Sequence, residues 1–274
     1  MRTYVIGDLH GYYAEYRRLL VDAGLADAEG QWTGGDSHLW LIGDIYDRGE
    51  QATECVDLTM SLQHQAAEAG GHVNALLGNH EMMLLCACKF GDALTTGGMR
   101  VADQWQMWGG VPAEMEKIEA RHIAWLERLP AMQLLGDTLL IHADAMFYVE
   151  HGRTPEQVNA SLWNILASAD LHLWEGTLRA FTEHRAFSAL GLTGQQRAER
   201  LLQYFKAERL IHGHTPIPLA TGQRPDQVRE AWTYANGRCV NVDGGIYLGS
   251  PGFVYQLDQD VSGVTRAVSG QRRG

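Results

Sequence analysis

The sequence predicts an α/β fold, and three observations carry that prediction. Short apolar runs of β type alternate with amphipathic helical stretches. Such strand, turn, helix alternation builds a partly parallel sheet. Five apolar runs stop at a Gly or His, at residues 7, 43, 78, 142 and 212. Polar residues of metal-ligand type follow at once: Asp8, His10, Asp44, Asn79, His142 and His214. In parallel sheets the chemistry collects beyond the carboxyl ends of the strands, where these residues fall.

Thr3 to Ile6 is the first strand, and it ends in Gly7-Asp8-Leu9-His10-Gly11. The flanking glycines permit a tight turn and close backbone approach. Tyr12, Tyr16, Leu19, Leu20 and Ala23 then share one helix face, with Glu15, Arg17, Arg18 and Asp22 opposite. Ala26 to Ser37 reads as loop. His38 to Ile42 is the second strand, ending in Gly43-Asp44-Ile45-Tyr46-Asp47-Arg48-Gly49. Ala52, Cys55, Val56 and Thr59 mark the buried face of the next helix, and Gly70-Gly71 stops it. Val73 to Leu77 is the third strand, which delivers Asn79 and His80.

From Glu81 to about Pro130 the chain turns helical and rich in Trp and Met. Val111, Met115, Ile118, His122, Trp125, Leu126 and Leu129 fit a single helix face. The tryptophans here read as core, because large aromatics bury the most area. Thr138 to Ile141 is a strand ending in His142-Ala143-Asp144. A second helical region runs from Glu150 to Lys206, with Thr154 as a cap and Pro155 at the first turn. Arg209 to Ile211 is a strand ending in His212-Gly213-His214-Thr215-Pro216. Cys239 to Val242 and Phe253 to Leu257 are two more, with Asp243-Gly244-Gly245 between them. With no repeat and no low-complexity linker, the 274 residues read as one domain, 1–274, with helical insertions at about 82–135 and 145–207.

The net charge of -11 argues against nucleic acid or an anionic membrane as the main partner. A phosphate substrate stays allowed, because metal-binding carboxylates count towards that total. The cysteines, Cys55, Cys86, Cys88 and Cys239, form no CxxC pair and read as free thiols of a reducing cytosol. The N-terminus enters a strand without a secretory pattern, and no apolar run is long enough to span a membrane. The expected location is cytoplasmic.

The donors Asp8, His10, Asp44, Asn79, His142 and His214 mix nitrogen and oxygen, which suits Mn, Fe or Zn. A carboxylate can bridge two cations about 3.5–4 Å apart that share a hydroxide. Their residual charge lowers the pKa of bound water and attracts phosphoryl oxygens. At these residues the sequence resembles the phosphoprotein phosphatase family, within the calcineurin-like metallophosphoesterases. The family motif Gly-Asp-x-His-Gly is matched at Gly7 to Gly11, Gly-Asp-x-x-Asp-Arg-Gly at Gly43 to Gly49, and Gly-Asn-His-Glu at Gly78 to Glu81. Two later histidine motifs are similar to Ile141-His142-Ala143-Asp144 and His212-Gly213-His214-Thr215. Tyr46, Leu77 and Ala143-Asp144 depart from the animal and plant enzymes and look like the bacterial and phage branch.

The resemblance implies a sandwich of two mixed β-sheets flanked by helices. It implies a protein serine/threonine phosphatase acting on a phosphorylated protein or small phosphoester. Two divalent ions would be present, Mn by expectation, with Fe or Zn as alternatives. Asp8 and His10 would bind the first metal, Asp44 would bridge, and Asn79, His142 and His214 would bind the second. A bridging hydroxide would attack, and His80, oriented by Asp47, would be the general acid that protonates the leaving alkoxide. Arg48 would hold phosphate oxygens in its planar fork. The family's second phosphate-binding arginine lies between the late histidines, where both Arg179 and Arg185 fall, and Arg185 is preferred.

Two other functions compete. A related bacterial branch, of bis(5'-nucleosyl)-tetraphosphatase type, hydrolyses dinucleoside polyphosphates. It generally lacks the Asp paired with the catalytic His, and its third motif tends to end in Asp; this chain has Asp47 and Glu81. A non-catalytic phosphate-binding scaffold would have lost a ligand or the acid, and none is lost. Elsewhere plainer readings hold. His72 and His122 read as structural, while His212 borders the site. Glu81 holds its turn through backbone amides, Asp144 reads as a turn residue or as support behind a ligand, and Asp243 and Tyr247 approach the site from the tail.

Overall fold

A computed structural model describes residues 2–189 and 192–257. The part of the single-domain expectation that covers 258–274 lies outside the described residues. The first part of the chain forms β1 (Thr3–Ile6), α1 (Tyr13–Asp22), β2 (His38–Leu41), α2 (Ala52–Glu68) and β3 (His72–Ala75). A helical stretch follows: α3 (Asn79–Phe90), α4 (Val101–Met107), α5 (Pro112–Met115) and α6 (Ala120–Leu126). The hairpin β4 (Met132–Leu135) and β5 (Thr138–Ile141) leads to α7 (Tyr148–His151), α8 (Pro155–Ala167), α9 (Leu171–Phe181) and α10 (Leu192–Phe205). The last part holds β6 (Arg209–His212), α11 (Ile217–Thr221), β7 (Trp232–Tyr234), β8 (Cys239–Asn241) and β9 (Val254–Leu257).

The strands form two mixed sheets, ordered β3-β2-β1-β9 and β4-β5-β6-β8-β7. In the first, β1, β2 and β3 run parallel and β9 is antiparallel. In the second, β5, β6 and β8 run parallel, and β4 and β7 close the edges antiparallel. Alternation along the strands decides which side chains go where. Val5, Trp40 and Leu257 of the first sheet meet Leu140, Ile211 and Val240 of the second in one buried seam. The alternate positions Tyr4, Ile6, Leu39, Leu41, Val73 and Ala75 join the larger core that carries the helices. Both faces of the strands are covered, which is why they read as continuous apolar runs. Full burial of a Val, Leu or Ile is worth roughly 1.5–3 kcal/mol, so the seam fixes the two sheets together before any polar contact is counted.

Several elements differ from the sequence reading. The third strand sits earlier, at His72–Ala75, because β3 pairs with β2 from His38↔His72 to Leu41↔Ala75. The edge strands β4 and β7 were not expected, and β4 ends the first helical stretch before residue 132. The expected single helix through Val111 to Leu129 is broken between α5 and α6. Glu119 leaves helical geometry at φ -104°, ψ 164°. Its N–H donates to His122 Nδ1 at 3.0 Å, a side-chain cap that starts a new helix. No helix among the described residues is long and apolar enough to cross a membrane.

The carboxyl ends of the two parallel sets meet across the seam. A Cβ on Gly7, just after β1, would overlap the carbonyl of Val242, just after β8. The His142 ring after β5 donates from Nδ1 to Ile42 O after β2, at 2.9 Å. Every polar strand end singled out in the sequence is therefore brought to one edge of the sandwich.

Candidate metal centre

The loops after β1 and β2 lie on each other. Leu9 and His10 donate their N–H groups to Asp44 O at 3.0 and 2.9 Å, and Gly49 donates to His10 O at 2.9 Å. Beneath them Glu81, buried in the first turn of α3, accepts N–H groups from Asp44, Ile45, Tyr46 and Gly78 at 2.7–3.1 Å. That is the turn-holding role read from the sequence. A Cβ on Gly78 would overlap Asp44 Oδ1, so glycine is required for this approach. Positive φ angles collect here: His10 at 48°, Asp44 at 52°, Asp47 at 69°, Arg48 at 72°, Arg185 at 58° and His214 at 65°. For residues with a Cβ this region is uncommon, and it marks functional sites where the surroundings over-determine the backbone.

Two groups of potential metal ligands share Asp44. One is His10, Asp44 and His80; the other is Asp44, His142 and His214. His10 donates from Nδ1 to Tyr46 O at 2.9 Å. Its Nε2 lone pair therefore faces Asp44 Oδ2, 3.8 Å away. His142 has its Nδ1–H on Ile42 O, while Nε2 lies 2.9 Å from Asn79 Oδ1 and 3.2 Å from Asp44 Oδ1. Asp8 lies outside both groups, and its two oxygens accept the His214 N–H at 3.2 and 3.1 Å. The α3 N-terminus also serves the site, since His80 N–H donates to Asp44 Oδ1 at 3.0 Å.

These donors fit divalent cations. His214 Nε2 is buried with no hydrogen-bond partner among the described residues. Both His142 nitrogens face oxygen acceptors, so Nε2 calls for a proton or a cation. Burial acts to lower the His142 pKa, but Asp44 outweighs it and raises it, so in the metal-free site a proton fills that place. Burial pushes His10 well below its ordinary pKa, with Arg48 and His80 adding to it, and burial and His142 do the same to His214. Both rings are therefore neutral and able to ligate. Burial pushes Asp8 well up, and Asp243 and Asp44 push it further. Burial also acts to raise Asp44, but His142 and His80 outweigh it and hold that carboxyl well below the usual range. Asp243 is raised by burial to about 7. So many buried carboxylates call for positive charge between them.

His80 stands at the edge of this cluster. Its Nδ1–H donates to Asp47 Oδ2 at 2.7 Å. Asp47 Oδ1 in turn accepts the indole N–H of Trp105 at 2.9 Å. On the open side Arg48 Nη2 donates to His80 Nε2 at 3.2 Å. The guanidinium of Arg48 lies over the Tyr247 ring, 3.8 Å from its centroid. Tyr247 also packs edge-on to His10 at 5.2 Å, so the tail reaches the site as expected.

The two arginine candidates separate in space. His184 stacks on His214 at 4.3 Å, which brings the backbone of Arg185 beside the centre. Arg179 lies on α9 and lines a separate cavity of about 280 Å³ with Thr96, Gln104, Trp108 and Glu175. His212 donates from Nδ1 to Gly213 O and takes the Tyr234 O–H on Nε2 at 2.9 Å, a structural role. His122 is tied by Nε2–H to Asp57 at 3.0 Å. Asp144 accepts Thr215 O–H at 2.6 Å. Trp105 was read only as core, and no short-range signal ties it to Asp47, 58 positions away. His184 was not expected to stack on His214, and Asp243 carried no assigned role.

Residues 1–218 match the family model for calcineurin-like phosphoesterases, and the chain belongs to that family. It is thus a metallophosphoesterase, a hydrolase class that works with divalent metal ions. It is 38% identical over 82 residues to Shewanella-like protein phosphatase 2 of Arabidopsis thaliana, covering 30% of this chain and 21% of the relative. It is 29% identical over 190 residues to a symmetrical bis(5'-nucleosyl)-tetraphosphatase of Aromatoleum aromaticum, covering 68% of this chain and 61% of the relative. The matches thus span less than two thirds of either relative's length. Among solved structures, a cold-active protein-tyrosine phosphatase of a psychrophilic Shewanella aligns with TM-score 0.70 at 22% identity, over 94% of this chain and 75% of that one. A protein serine/threonine phosphatase from Saccharomyces cerevisiae aligns with TM-score 0.59 at 17% identity, over 93% and 72%. At these identities the likeness establishes the fold.

Proposed function

We propose that the protein hydrolyses phosphate monoesters of serine and threonine side chains in proteins. The observation that carries this reading is the buried pair of His80 and Asp47 at 2.7 Å, braced by Trp105 at 2.9 Å. A serine or threonine alkoxide is a strongly basic leaving group and needs a proton as it departs. A polyphosphate leaving group is far less basic and does not. A positioned general acid contributes about 10²–10⁴-fold, so such a pair is worth building for an alkyl phosphate.

Asp8, His10, Asp44, Asn79, His142 and His214 would hold two divalent cations, which supply a nucleophile from water near neutral pH and offset phosphoryl charge. Mn is the metal we propose, with Fe or Zn compatible with the same donors. Arg48 turns from His80 and Tyr247 to the phosphoryl oxygens, where its fork binds two of them. Arg185 approaches from beside His214 as the second arginine. With Arg48 drawn away, His80 Nε2 is free to take up a proton from water; the imidazolium, its Nδ1–H held by Asp47, then gives the Nε2 proton to the departing oxygen. A cytoplasmic setting belongs to the same proposal, supported by four free cysteines.

A second reading is hydrolysis of dinucleoside polyphosphates. It is favoured by the tetraphosphatase relative, whose match runs along 68% of this chain. Steady-state rates on a phosphoserine peptide and on diadenosine tetraphosphate, both with Mn, separate the two. A higher kcat/KM on the peptide is expected; a higher value on the dinucleotide assigns the protein to the second reading.

A further inference from the structure

The turn after β8 carries a carboxylate that the mechanism above does not use. Asp243 is fully buried, at 0% exposure. Its N–H donates to Asn241 Oδ1 at 2.8 Å, and its Oδ1 accepts the Gly245 N–H at 2.9 Å. Those two bonds account for the turn. The other oxygen, Oδ2, is buried with no hydrogen-bond partner among the described residues. Buried carboxylate oxygens are normally satisfied, and an orphan implies a missing donor or ion.

Backbone contact sets where this carboxylate lies. A Cβ on Gly7 would overlap Val242 O and stand 3.0 Å from Asp243 Cα. Asp8 follows Gly7, and Asp243 follows Val242. The two acids therefore leave strand ends that touch, one from each sheet. Arg48 acts on both acids, yet its guanidinium is engaged by His80 and Tyr247. Of the four oxygens of these two neighbouring buried acids, both of Asp8 share the His214 N–H and Asp243 Oδ1 takes Gly245, which leaves Asp243 Oδ2 alone without a partner among the described residues.

We propose that Asp243, through Oδ2, supplies a further carboxylate to the metal centre on its Asp8 side. The arrangement has a distinct logic. Asp8 lies outside the two ligand groups, with its oxygens drawn towards the amide of His214, which belongs to one of them. A second carboxylate beside it raises the negative potential there and favours a divalent over a monovalent cation. Without a cation the two acids repel each other; with one they are both neutralised.

Asp243→Asn isolates this role. Asparagine keeps the Oδ1 bond to Gly245 and changes only Oδ2 to an NH₂ group. The proposal rests on reading the centre as binding two cations, and the wild-type arm tests that separately. Chelator-treated full-length wild type and Asp243→Asn are titrated with Mn²⁺ by calorimetry at pH 8, and melted with and without Mn²⁺. Wild type should bind two equivalents. The variant should hold one as wild type does and the other about 10–100-fold more weakly. Its metal-free Tm should equal or exceed that of wild type, because a buried charge is gone and the new NH₂ can donate to Asp8. Its Mn-induced rise in Tm should shrink. Failure of wild type to bind two equivalents breaks the reading of the centre. Two wild-type-like equivalents in the variant, or an equal fall in Tm with and without Mn²⁺, overturns the role of Asp243 alone and leaves it a turn residue.

Discussion

The two halves of the candidate site are built differently. On the first sheet the site side chains all have protein partners. His10 is held by Tyr46 O, Asp47 by His80 and Trp105, and Asp44 by the His80 amide. Glu81 ties the loop after β2 to the start of α3 through four amides. On the second sheet His142 has partners on both nitrogens, but His214 Nε2, Asp144 Oδ2 and Asp243 Oδ2 are buried with no hydrogen-bond partner among the described residues. One half is assembled by the protein alone. The other half has donors waiting for a charge the protein does not supply. The proposed acid pair thus sits on the first sheet, and the orphaned polar atoms that call for a cation fall on the second.

Glu81→Ala is the largest way to break the first half. It leaves four buried N–H groups without an acceptor, each costing about 1–3 kcal/mol. Partial relaxation and water entry lower the sum to a stability loss on the order of 3–5 kcal/mol in denaturant melts. The loss should be the same with and without metal, since these bonds need no cation. A change under about 1 kcal/mol would show that Glu81 does not hold the half together. Trp105→Phe is the smaller probe. It removes one N–H from a charged acceptor, an effect of about 1.5–3 kcal/mol in full. If about half of that reaches the barrier, kcat falls about 4- to 13-fold, while KM and metal content hold. An unchanged kcat would make Trp105 a core residue only.

The parts legible in the sequence are those with local causes. Gly7-Asp8-Leu9-His10-Gly11 and Gly78-Asn79-His80-Glu81 are short because each needs a glycine where another strand end touches it. The strands β1, β2, β5 and β6 announce themselves because both their faces are buried. The strand β7 does not, because its residues at an edge are only partly buried. The break at Glu119 was hidden for a different reason. The apolar spacing continues through it, and the capping bond comes from the His122 side chain rather than from Gly or Pro. Trp105 and Asp243 were out of reach because their meaning lies in contacts across long sequence separations. A tryptophan in a helical stretch and an Asp before two glycines have ordinary structural uses, and only the assembled site shows what each one faces.

The central claim is that His80 gives its proton to a basic leaving oxygen. Its most direct test compares wild type with His80→Asn on a phosphoserine peptide and on p-nitrophenyl phosphate, at matched metal occupancy. The leaving alkoxide of the peptide needs the acid, whereas nitrophenolate hardly does. The account predicts a loss of about 10²–10⁴-fold in kcat on the peptide and a much smaller loss on the aryl ester. Equal losses on both substrates, or retained turnover of the peptide, would contradict it.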